Sequence, residues 1–96
     1  MNQDQSLQVT LINHLMDELT VARVKNAIKI GKHLLTLKEG VGHGNWTNFA
    51  KENFGASLRS CEDYMRLAKN AIHPKHYKLG SYMLTRRLSA GEDLSS

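Results

Sequence analysis

The 96-residue sequence predicts an all-α protein: a long N-terminal helix, straight or bent, then a helix-turn-helix-like pair and a short C-terminal helix. Three observations lead there. Apolar residues recur at three- and four-residue spacing, glycine-bearing breaks separate the periodic segments, and a single proline with 6% aromatic residues suits a mostly helical chain. A chain this short has room for one hydrophobic core, so residues 1–96 are read as one domain.

The first element spans 7–38, where Leu7, Leu11, Ile12, Leu15, Met16, Leu19, Val24, Ala27, Ile28, Gly31, Leu34 and Leu35 follow the helical period. As one helix it would be about 45 Å long, more than the rest of the chain can cover. Either it bends near residues 17–22, giving two helices, or a partner chain covers it, which makes it the expected dimerisation element. Glu39-Gly-Val-Gly-His-Gly-Asn45 ends it, with the glycines expected to supply left-handed turns.

Residues 45–72 form the helix-turn-helix-like unit. Asn45 is a candidate cap for a short helix whose apolar stripe is Trp46, Phe49, Ala50 and Phe54. Gly55-Ala56-Ser57 breaks it, and Ser57 is placed to cap a helix from Leu58 to about Ile72, buried through Leu58, Cys61, Met65, Ala68 and Ile72 and flanked by Tyr64 and Leu67. His73-Pro74 stops that helix. Residues 75–88 are read as the C-terminal helix, packed through Tyr77, Met83, Leu84 and Leu88 and weakened by Gly80, and 90–96 as a polar, frayed tail.

Charge is segregated along this layout. The first 22 residues carry Asp4, Asp17 and Glu18 and no Lys or Arg, whereas residues 23–91 hold all 13 basic residues against four acids, a local excess of nine. A basic body favours a polyanionic partner. Cys61 is alone, so neither an intrachain disulfide nor a two-cysteine metal site is available. The apolar stretches are interrupted by charges, and the polar start MNQDQS lacks a basic flank, so neither membrane nor export is expected and the location expected is cytoplasmic.

A helix, a glycine turn and a second helix with a polar first turn is the layout that enters a DNA major groove. The DNA-binding candidates are therefore Ser57, Arg59, Ser60 and Asp63 at the start of the second helix, with Arg66 and Lys69 suited to phosphates one turn on. Lys25, Lys29 and Lys32 share one face of the long helix and suit a phosphate backbone or a solvated surface. Glu62 and Asp63 weigh against a purely charge-driven contact, and Lys51 stands where a small residue is expected four positions before the turn glycine. Two amphipathic helices joined by a glycine turn are also simply a helical hairpin.

Ile30-Gly31, Leu34-Leu35, Lys38, His43-Gly44, Trp46, Phe54-Gly55, Ser57, Arg59, Cys61 and Tyr64-Met65-x-Leu67-Ala68 together resemble an uncharacterised bacterial domain family of phage, plasmid and integrated-element proteins. Its pattern is approximately I-G-x-x-L-L-x-x-K, H-G-x-W and F-G-x-S-x-R-T-A-x-x-Y-M-x-L-A, over about residues 11–72. Ser60 and Cys61 replace its usual Thr-Ala, and Phe49 a frequent second tryptophan. The resemblance implies a small helical protein of mobile elements that binds DNA through the helix-turn-helix-like half and has no assigned reaction.

The expected function is thus double-stranded DNA binding, as a homodimer, in regulation, maintenance or partition of a phage, plasmid or integrated element. The alternative is a protein-protein interaction module, an adaptor or inhibitor, in which Glu62 and Asp63 make the contacts. No enzyme, cofactor or metal is expected. His43 lacks partner ligands among the scattered His14, His33, His73 and His76 and is read as stabilising its turn, Gly40, Gly42 and Gly44 lack the features of a phosphate loop, and Cys61 lies on the apolar stripe.

Overall fold

The computed structural model describes residues 2–96. Helix α1 runs unbroken over Gln3–Val41, so the first element is one helix, not two. Asn2 starts it with a capping box: its side chain accepts the Gln5 N–H at 2.8 Å while the Gln5 side chain accepts the Asn2 N–H at 3.0 Å. Thirty-nine residues make a rod of roughly 58 Å, which sets the long dimension of a molecule measuring 61 × 29 × 18 Å. The radius of gyration is 17.0 Å, against about 12.5 Å for a compact chain of this length.

Of the three glycines at the end of α1, Gly42 alone takes a positive φ, +91°, and its N–H bonds the Lys38 carbonyl at 3.1 Å. Gly40 remains within the helix. Helix α2 follows over Trp46–Asn53 and α3 over Leu58–Lys69. Asn45 does not cap α2; its side-chain amide instead donates back to the Val41 carbonyl at 3.5 Å. Ser57 does cap α3, accepting the Ser60 N–H at 3.1 Å. Gly55 needs no left-handed conformation, because Phe54 leaves α2 in extended geometry.

The expected helix over 75–88 divides into a 3₁₀ turn, Pro74–Leu79, and helix α4, Gly80–Ser89. The division falls at Gly80, whose φ of +84° a side-chain-bearing residue rarely adopts. The tail is not frayed. Leu94 is buried, its carbonyl accepts the His73 N–H at 2.7 Å, and the Ser96 carbonyl lies 2.9 Å from His76 Nε2. Overall polarity hid the one large apolar side chain of the tail, Leu94, which docks in the core.

Helix α3 is the hub. Leu67 joins Val24, Ala27, Leu84 and Leu94 in one buried cluster, and Cys61 and Met65 join Leu34, Trp46 and Ala50 in another, with Tyr64 touching both. Each fully buried Leu or Val contributes about 1.5–3 kcal/mol relative to exposure. Gly31 permits the closest approach of α1 to α3: a methyl group there would meet the Tyr64 carbonyl carbon at 2.6 Å and the Ala68 Cβ at 2.8 Å. The core stops short of the first half of α1, since residues 2–19 are all exposed. Met83, expected to pack, is 39% exposed.

Candidate functional site

Burying Cys61, Met65 and Leu67 turns the polar residues of α3 towards α4 and solvent. Arg59, Ser60, Asp63 and Arg66 line one wall of a groove of about 570 Å³. The opposite wall comes from α4, through Ser81, Tyr82, Thr85, Arg86 and Ser89, with Tyr64 and Leu67 between. Four of the six expected α3 residues therefore come together. Ser57 is occupied in capping, its hydroxyl donating to that of Ser60 at 3.0 Å, and Lys69 is exposed in the last turn; neither lines the groove.

A chain of hydrogen bonds fixes the two walls. Arg66 Nη1 donates to the Ser89 hydroxyl, which donates to the Thr85 carbonyl at 2.9 Å. The Arg86 guanidinium sits 5.7 Å from the centroid of the Tyr82 ring, and Tyr82 is 72% exposed. Such an exposed cation–π contact contributes about 0.5–1 kcal/mol, enough to bias the arginine rotamer without neutralising its charge. Among the described residues the close contact between a basic side chain and a carboxylate is His14 Nε2–Glu18 Oε1 at 2.9 Å, on α1, and none of Arg59, Arg66 or Arg86 meets a carboxylate, even with Asp63 in the same groove. Three guanidiniums against one carboxylate make this concave surface attractive to anionic oxygens.

Lys25, Lys29 and Lys32 are exposed on α1, and none lines the groove. Lys25 borders a separate hollow with His14, Asp17, Glu18 and Lys78. Glu62 points to solvent on α3. His43 is exposed at its turn, which is closed by the Asn45 N–H bonding the Gly42 carbonyl at 3.2 Å. Burial, and secondarily the Glu62 charge, pushes the Cys61 thiol up, which keeps it protonated and poorly nucleophilic. Among the described residues no group of three His, Cys, Asp or Glu is placed to hold a metal ion, and no helix is long and apolar enough to cross a membrane.

Sequence reasoning missed the α4 wall. Its signal was present as a polar stripe, Tyr82, Thr85, Arg86 and Ser89 at i, i+3, i+4 and i+7, opposite the buried Leu84. Only the packing of α4 beside α3 gives that stripe a partner face.

A family model described as a protein of unknown function (DUF3102) matches residues 6–86. The match begins in the exposed first half of α1 and ends at Arg86, so it includes both walls of the groove apart from Ser89. No curated protein and no solved structure matches the chain. The chain belongs to this DUF3102 family.

Proposed function

We propose that the protein binds double-stranded DNA through the face shared by α3 and α4. Arg59, Ser60 and Asp63 are assigned to base edges, and Arg66, Lys69 and, from α4, Arg86 to phosphates. The observation that carries this reading is the trio of guanidiniums without carboxylate partners on one concave face beside a single carboxylate. In biological terms the reading is a cytoplasmic regulator or a maintenance or partition factor of a phage, plasmid or integrated element, acting as a homodimer through α1 and without catalysing a reaction.

The test is selection from a random duplex pool followed by titration of the enriched sequence at several salt concentrations. An enriched motif is expected, with log affinity falling linearly against log salt; Arg66→Ala should lower affinity and flatten that slope by about one unit. No motif and no salt-dependent binding would overturn the reading. In that event the protein-interaction module takes its place, favoured by the exposed Glu62 and by the run of exposed apolar side chains on α1.

A further inference from the structure

The first half of α1 is a bare helix with an apolar surface. Leu7, Val9, Leu11, Ile12, Leu15, Met16 and Leu19 are between 44% and 61% exposed. They leave on the order of 700 Å² of apolar surface uncovered over about half of the helix circumference, more than the 300–600 Å² of a typical monomer's largest patch. This segment requires an occupant.

We infer that the occupant is the same segment of a second copy, lying antiparallel and centred near Asn13. The inference deepens the homodimer reading and rests on it alone, not on DNA binding. In this register Leu7 of each copy faces Leu19 of the other, and Leu11 faces Leu15, so one stripe complements itself about a two-fold axis. Charge selects the direction. Residues 2–22 carry Asp4, Asp17 and Glu18 and no Lys or Arg, and the basic residues begin at Arg23. Antiparallel pairing sets Asp4 beside Arg23 of the other copy and holds the two basic bodies at opposite ends. Parallel pairing sets Glu18 beside its own copy and brings the basic bodies together, both repulsive.

The experiment is sedimentation velocity of the full chain from about 5 to 100 µM, joined to disulfide trapping in a Cys61→Ala background. A dimer of twice the 10.8 kDa chain mass is expected. Leu11→Glu with Leu15→Glu should weaken it by at least about a hundredfold, while Trp46 fluorescence reports an intact body. Leu7→Cys alone and Leu19→Cys alone should give no covalent dimer, and their mixture should give one, because the antiparallel register separates like positions by about 18 Å. A monomer throughout the range overturns the homodimer reading and this inference together. A dimer that survives the double glutamate variant, or that cross-links through Leu7→Cys alone, overturns the antiparallel arrangement and leaves the homodimer standing.

Discussion

The two halves of α1 share one helix and one apolar period, yet they differ completely in cover. Val24, Ala27, Gly31 and Leu34 are buried under α3 and its neighbours, whereas residues 2–19 touch water at every position. Apolar periodicity therefore marks a face that must be covered and says nothing about which chain covers it. In the second half Gly31 makes the cover intimate, letting two helix backbones meet. In the first half no glycine occurs, and the stripe of Leu and Ile suits side-chain interdigitation with a similar helix.

The sharpest way to break this contrast is to attack the covered half. Leu67→Ala should cost about 2–5 kcal/mol in urea unfolding followed by Trp46 fluorescence, since Leu67 is fully buried in the cluster that holds α1 to α4. Gly31→Val should cost about 3 kcal/mol or more by the same measurement, because the added carbons meet backbone at Tyr64 that cannot rotate away. A loss below 1 kcal/mol in either variant would mean that the two halves are held less differently than their burial says.

Leu94→Ala should cost about 2 kcal/mol and expose the His73 amide to rapid hydrogen exchange, because Leu94 fastens the tail to the same cluster. In the uncovered half the effect on the body nearly vanishes. Leu15→Ala should change body unfolding by less than about 0.5 kcal/mol at protein concentrations low enough to keep the chain monomeric. A larger change would show that the first half is packed on its own body.

The smallest expected effect is a pH response of the tail. Hydrogen bonds from the Ser95 side chain and backbone hold the Asp93 carboxyl below its ordinary value, the backbone one being 2.9 Å long. A lowered folded-state value means that the contact contributes fully above the unfolded value and is lost as pH falls through the folded one. Acidification should therefore release the Ser95 amide before the body unfolds, readable as an amide shift in NMR spectra, and Asp93→Asn should abolish the transition. A Ser95 amide unchanged throughout acidification would remove Asp93 from the contacts that secure the tail.

Much of the helical layout was legible in local chemistry. The three-and-four spacing marked α1, α2 and α3, and Ser57 was identifiable as a cap, because helix propagation and capping involve residues within four positions of one another; but α3 ends at Lys69, short of the expected Ile72, and His73-Pro74 opens the 3₁₀ turn instead of stopping the helix. Local reasoning failed where competing local partners exist. Asn45 carries a cap-forming side chain but spends it on the end of the preceding helix, and three glycines in five positions supply a single left-handed residue.

The candidate site divides along the same line. Arg59, Ser60, Asp63 and Arg66 could be grouped from sequence because one helical face brings them together; Tyr82, Arg86 and Ser89 join them only through the packing of α4 against α3. An all-α chain, its breaks and the segregation of a basic body from an acidic first segment were readable without any structure, since each follows from residue type and short-range spacing. The packing of distant segments decided that α1 is covered over half its length, that α4 completes the groove and that the tail docks through Leu94. Those outcomes depend on contacts between residues far apart in the chain, where the free energy of burial, rather than local propensity, selects the arrangement.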